Sequence, residues 1–319
     1  MKRFKKIFWR FTSDQRGMAL VLVAAGMVAF TGFMALVADV GLLALNKQRL
    51  VNAVDAAALA GVHELPVNPD QAKAVAVNYA LQNGANPLEP QVGEYLGDPN
   101  TKLTVSAARQ VEFAFARVLG INSGTVSATA TAGLSGIRAL NGAAPLAVPD
   151  KPFEFGASYT LKVGANSEDP PPLGPGTFGA LSLGGNGASN YEDNLKYGYS
   201  GQLKVGDVVN TETGNMSNPT KRAVDYRMDL CTHTPACTPA HFDPGCPRIL
   251  FIPVYRENYE AGGQIKNITI SGFAAFLVDR VTGQGTQSYI EGAFIRLVID
   301  GETSPGQTDY GLQGAKLIE

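Results

Sequence analysis

The pattern of hydrophobic and polar positions changes along the chain. From Met18 to Ala38 it reads MALVLVAAGMVAFTGFMALVA, twenty-one apolar or small residues in a row. As a helix rising about 1.5 Å per residue, this run spans roughly 30 Å, the thickness of a bilayer's hydrocarbon core. From 42 to 62 the pattern becomes amphipathic. Leu43, Leu50, Val54, Ala57, Ala58, Gly61 and Val62 fall on one side at helical spacing, interrupted by Lys47, while Gln48, Asn52 and Asp55 fall on the other. No proline occurs between Gly17 and Leu65, so the two segments are expected as one helix of about 46 residues and about 69 Å, half in lipid and half a stalk above it. The apolar stripe of such a stalk packs either on its own domain or on sister helices.

Beyond the stalk the periodicity shortens. Asn68 is a candidate helix cap, with Pro69 at the first helical position and Gly84 past the end. Thr101–Ala107 and Gly124–Leu134 read as strands. Between them Val111, Phe115, Val118 and Leu119 stand at helical spacing, so Gln110–Leu119 is expected as a helix. Residues 135–152 carry Gly, Ala and Pro that break both periods and suggest a linker, and EDPPPLGPG at 168–176 suggests a stiff loop. Short β-like runs follow at Phe155–Val163, Phe178–Leu183, Gly201–Val209, Arg248–Tyr255, Ile265–Leu277 and Gly292–Ile299, separated by Gly-rich turns. The fold class expected is α+β. Its parts are a basic segment (1–16), a transmembrane helix (17–38), a stalk helix (39–64), a small α/β unit (65–140), a linker (141–152) and a β-rich, sandwich-like domain (153–319).

Charge gives the orientation. Lys2, Arg3, Lys5, Lys6, Arg10 and Arg16 against Asp14 make the first sixteen residues +5, so with a net charge of −2 the remaining 303 residues sum to −7. Six basic residues precede the span, and only Lys47 and Arg49 lie just after it. The positive-inside rule then puts residues 1–16 in the cytoplasm and 39–319 outside. A cleaved signal peptide is the rival reading. Its apolar region is shorter, about 7–15 residues, and Leu36 and Ala38 before Asp39 fit an A-x-A site poorly. The acidic body argues against nucleic acid as a partner. Asp39 sits where the lipid ends and is expected as a solvated interfacial carboxylate, with a paired intramembrane charge as the alternative.

Several motifs now combine. Arg16-Gly17 precedes the span, Ala38-Asp39-Val40-Gly41 follows it, and then comes Leu50-Val51-Asn52-Ala53-Val54-Asp55-Ala56-Ala57-Ala58-Leu59-Ala60-Gly61. Together these resemble the N-terminal segment of TadG-like proteins of the Tad (tight adherence)/Flp pilus-assembly system, over about the first 62 residues. Gly176-Thr177-Phe178-Gly179-Ala180-Leu181 and Cys246-Pro247-Arg248-Ile249 further resemble a Gly-rich subgroup. The resemblance implies a membrane-anchored, pilin-like assembly component, with partners among other Tad/Flp components or a second copy, met through the N-terminal helix. Two departures narrow it. Tad pilins carry Glu five residues after the processed Gly, and here that position is Leu22, which argues against polymerisation as a major pilin. Asp300-Gly301-Glu302-Thr303-Ser304 is the nearest approach to a von Willebrand A metal motif, and too few residues follow it for that domain. A membrane-tethered, adhesin-like binding module is the alternative, with its surface ligand undetermined.

Candidate chemistry is concentrated in CTHTPACTPAHFDPGC, which holds Cys231, His233, Cys237, His241 and Cys246. Outside the membrane a disulfide is the favoured expectation, leaving one thiol over. A Cys/His zinc site is the sharper alternative, although the spacing lacks a C-x2-C pair. GNGASNYEDNLKYGYSG at 185–201 is expected as β-turns whose tyrosines pack on a small core, with a sugar or Ca²⁺ loop as the alternative. His63 is expected to cap the stalk or face solvent. There is no G-x-S-x-G, H-E-x-x-H or P-loop, so neither a catalytic residue nor a cofactor is assigned.

Overall fold

A computed structural model describes residues 15–161, 179–212, 216–256, 266–283 and 288–318; the basic segment 1–14 and the proline-rich stretch 168–176 lie outside them. Helix α1 (Gln15–Val62) runs without a break for 48 residues. Helix α2 (Pro69–Gln82) starts with Pro69 in its first turn and is followed by Gly84 at φ 73°. The Asn68 side chain makes no cap hydrogen bond there. Strands β1 (Gln91–Tyr95), β2 (Asp98–Glu112) and β3 (Ser123–Leu140) form an antiparallel meander, with a 3₁₀ turn at Ala116–Leu119 between the last two. The helix expected over Gln110–Leu119 is therefore a strand end and a single 3₁₀ turn. β2 pairs with β3 out to Glu112–Ser123, and that ladder claims the residues a helix would need.

The rest of the chain adds β4 (Val148–Pro149), β5 (Ser158–Thr160), β6 (Leu181–Ser182), helix α3 (Ala188–Tyr197), β7 (Leu203–Lys204), β8 (Val208–Thr211) and helix α4 (Ser217–Leu230). Then come β9 (Ile249–Arg256), β10 (Asn267–Thr282), β11 (Tyr289–Ile295), β12 (Leu297–Ile299), β13 (Glu302–Thr303) and β14 (Leu312–Ile318). One sheet has the order β1-β2-β3-β14-β12, with β7 and β13 also on β3; the other has β4-β9-β10-β11-β5, with β8 on β10 and β6 on β8.

Three layers of core hold these parts together. Leu50, Ala53, Val54, Ala57, Ala58 and Val62 of α1 pack with Ala72, Ala76 and Ala80 of α2 and with Leu103, Val105, Ala130 and Ala132 of the first sheet. The central strand β10 is buried on both faces. Phe273, Ala275 and Leu277 face a core shared with Ile137, Leu140, Leu297 and Leu312, and Ala274, Phe276 and Val278 face α3 and α4. Its apolar run FAAFLV thus shows no polar alternation, because neither side meets water.

Two further expectations are corrected. Residues 141–152 are not an exposed linker: Ala143, Ala144, Leu146 and Ala147 are buried, and Val148–Pro149 pairs in parallel with β9. Gly142 adopts a φ of 83°, and there the chain passes close to the end of α3. A Cβ on Gly198 would lie 2.7 Å from the backbone of Gly142. The tyrosine-rich stretch 185–201 is mostly helix α3. Tyr191 is fully buried with its hydroxyl 3.0 Å from Thr220 Oγ1, and Glu192 pairs with Lys196 at 2.7 Å and with Arg222 of α4. The Glu192 carboxylate is thereby committed to cations of the protein itself, which leaves nothing resembling a Ca²⁺ loop.

Candidate functional site

The site begins where the uncharged run of α1 ends. Within α1 the stretch from Gly17 is strongly apolar and is not buried against the protein, so α1 is long and apolar enough to cross a membrane. Val21, Met27, Val28, Phe30, Phe33 and Val37 are all exposed. From Asp39 onward one face of α1 is fastened to the domain. Asp39 is buried, and its carboxylate accepts the backbone N–H groups of Ala114 at 2.9 Å, Phe115 at 3.1 Å and Ala116 at 2.6 Å. These donors open the 3₁₀ turn, whose first N–H groups have no partner of their own. The expectation of a solvated Asp39 is corrected: it caps a turn of its own domain.

About two helical turns further on, Asn46 Oδ1 accepts from Arg109 Nη1 at 3.3 Å, and Lys47 Nζ donates to the Ser127 carbonyl of β3. Lys47 therefore belongs to the docked face rather than interrupting it. Next come the fully buried Leu50, Val54, Ala57, Ala58 and Val62, with Leu43 half-buried at the membrane side. At Gly61 the approach is closest, since a Cβ there would lie 2.6 Å from the Ala72 carbonyl oxygen of α2. The alanines follow from this geometry: small side chains let α1 and α2 approach each other and the sheet. Of the two covers expected for the stripe Leu43, Leu50, Val54, Ala57, Ala58, Gly61 and Val62, its own domain or sister helices, the protein's own domain is the one in contact. The surface α1 leaves free is the span itself and the far side of the stalk, including Val40, Leu45, Gln48 and Asn52.

Beside the exit of the span lies a second apolar surface, in which Phe115 and Val118, expected within a helix, are instead exposed. Phe115, Val118 and Ile121 project from the β2–β3 connection, and Val118 is 89% exposed. The Asp39 hydrogen bonds hold this connection level with the first residue after the span. The exposed side chains were readable in the sequence, but their height was not, because it depends on a contact between residues more than seventy positions apart.

The Cys/His run divides. Cys231, His233, Cys237 and Cys246 come together, with one ligand atom of each lying within 4.8 Å of the others. His241 does not join them. It forms a tight bridge with Thr238 and lines a cleft of about 920 Å³ together with His63, Glu64, Phe155 and Arg296. No disulfide joins the three cysteines. Burial pushes the Cys246 thiol up to about 12. Burial acts in the same direction at Cys231, but hydrogen bonds with His233, Cys246 and Arg248 outweigh it and bring that thiol down to about 6. His63 is exposed just beyond the end of α1.

No curated protein and no solved structure matches the chain. Residues 17–68, which hold the span, the Asp39 turn and the alanine-rich docked stretch, match the family described as "Putative Flp pilus-assembly TadE/G-like", and most of the chain lies outside that match.

Proposed function

We propose that the protein is a membrane-anchored, pilin-like structural component of a Tad-type (Flp) assembly, crossing the membrane once with residues 1–16 in the cytoplasm and 39–319 outside. The family match over 17–68 supports the assembly role, and the charge asymmetry of the first sixteen residues supports the orientation. One observation carries the reading further: α1 passes unbroken from the span into the core of the domain, and Asp39, Lys47 and the Leu50–Val62 face fasten it there. A flexible tether needs none of these contacts. A subunit that must hold its domain at a fixed height and tilt relative to neighbouring helices needs all of them.

Contacts to other assembly components, or to a second copy, then run through the lipid-facing span and the free side of the stalk. Photocrosslinking probes at Phe33, Val37, Leu45 and Gln48 in cells test this. Crosslinks to other membrane proteins of the assembly, or between copies, are expected. Probes at Leu50 and Val54 should report only contacts within the chain. If probes on the free side also yield only lipid and intrachain products, the assembly role fails and the tethered adhesin-like module takes its place.

A further inference from the structure

We infer that Cys231, His233, Cys237 and Cys246 form a closed structural site for one zinc ion. The argument rests on geometry. Cys231 Sγ lies 3.5 Å from Cys246 Sγ and 3.6 Å from His233 Nδ1, and Cys237 Sγ lies 3.4 Å from the same nitrogen. Zn–S bonds of about 2.3 Å and Zn–N bonds of about 2.0–2.1 Å in a tetrahedron put neighbouring sulfurs about 3.8 Å apart and sulfur and nitrogen about 3.6 Å apart. The observed separations therefore suit four donors sharing one small ion. A disulfide would bring two sulfurs to about 2.0 Å and would need no histidine.

The surroundings fit the same role. His233 turns Nδ1 toward the sulfurs, while its Nε2 lies 4.0 Å from the Asp243 carboxylate. A carboxylate on the far side of a ligating imidazole selects the tautomer whose lone pair faces the metal. Three thiolates and a dication leave one negative charge. The buried Arg248 lies beside it, donating from Nη1 to the Cys237 carbonyl at 3.1 Å and pairing on its far side with Asp279 at 3.8 Å. Three soft sulfurs and one imidazole nitrogen select zinc over hard cations, and four protein ligands leave no position for a reactive water. The site is therefore structural. Cys231 caps the C-terminus of α4 and Cys246 stands three residues before β9, so the ion would join the end of a helix to the start of a central strand across an irregular loop.

The sequence hides this arrangement because zinc motifs are recognised by close cysteine pairs. Here the first two ligands sit two apart at a helix end, and the others come from a loop and a strand entrance. In an oxidising compartment the Cys231–Cys246 pair is the rival outcome.

The test uses the full chain purified in detergent without chelator. Metal analysis is expected to give close to one zinc per chain, released when the thiols are alkylated under denaturing conditions. Cobalt exchanged into the same protein should show the thiolate charge-transfer and d–d bands of a tetrahedral sulfur-rich site. Asp243→Asn should weaken zinc binding about 10–100-fold, and His241→Ala should leave it unchanged. Cys237→Ser should lose the ion. Should that variant fail to fold, the cobalt spectrum of the unaltered chain still decides. A chain without zinc and without the cobalt bands, or one in which non-reducing peptide mapping finds Cys231 linked to Cys246, overturns the site.

Discussion

The carboxylate of Asp39, one residue beyond the uncharged span, accepts the backbone N–H of Ala116 at 2.6 Å, seventy-seven residues further along the chain. With Ala114 and Phe115 as further donors, it satisfies the start of a turn that carries no cap of its own. Hydrogen bonds to a charged acceptor are stronger than neutral ones, and losing the acceptor strands the donors. Asp39→Ala should therefore open the 113–122 connection. Amide hydrogen exchange at Ala114–Ala116 should quicken about 10- to 100-fold, with Asp39→Asn intermediate. Unchanged protection in Asp39→Ala would mean that the turn is held by its strands alone.

Much of α1 could be read directly from the sequence, because a run of apolar residues without proline and an amphipathic stripe both report helix through their own spacing. What the stripe faces could not be read. Leu50 and Val54 have the same spacing whether they meet a sister helix or β2 and β3, since periodicity identifies a buried face without naming its cover. Helix α3 escaped for a different reason. Its Asn, Asp and Tyr content between flanking glycines resembles turns, and only the burial of Tyr191 and Leu195, one helical turn apart, against α4 makes the helix worthwhile. In the Cys/His run the residue types were visible and the ligand set was not. Excluding His241 depended on the Thr238–His241 bridge that turns it toward the cleft.

The contact between α1 and α2 depends on Gly61, where a side chain would meet the Ala72 carbonyl and the Ala76 methyl. Gly61→Val should force the two helices apart and lower stability by about 1–3 kcal/mol, as overpacking commonly does. Thermal unfolding in detergent, followed by circular dichroism, should show a lower midpoint. Gly41→Ala is the control, since a Cβ there meets nothing within 4 Å. Equal midpoints for the Gly61 and Gly41 variants would contradict the close packing.

Acid should loosen the α3–α4 pair. Hydrogen bonds from Arg222 and Lys196 bring the Glu192 carboxyl down to about 2 from an ordinary value of 4.5. Its folded value is depressed, so its contribution is complete above the unfolded value and is lost as pH falls from about 4.5 toward 2. Arg222 is more than half exposed, which screens the pair and limits the contribution to about 1 kcal/mol or less. Glu192→Gln should lower stability at pH 7 and flatten its decline below pH 5, measured by urea unfolding at a series of pH values. Parallel pH curves for the two proteins would remove the pair from the stability of this domain.

The last prediction concerns the height of the β2–β3 connection. Phe115, Val118 and Ile121 are exposed, and apolar side chains concentrated at one turn are unusual on a surface that meets only water. Asp39 holds this turn level with the end of the apolar run, which under the proposed membrane crossing is where the hydrocarbon core gives way to headgroups. Lodged there, the three side chains would act as a second, shallow foot beside the helix and resist tilting of the domain against the bilayer. A tryptophan at position 118 reports this directly. Since the chain has a single native tryptophan, Trp9, the variant is Val118→Trp in a Trp9→Phe background. In liposomes its emission should be blue-shifted and quenched by lipids brominated near the headgroup, more strongly than by lipids brominated deep in the chain. Adding Asp39→Ala should weaken that quenching, because the turn is then free to lift away. Emission typical of water, insensitive to either lipid, would place the turn clear of the membrane and leave α1 as the protein's sole described contact with it.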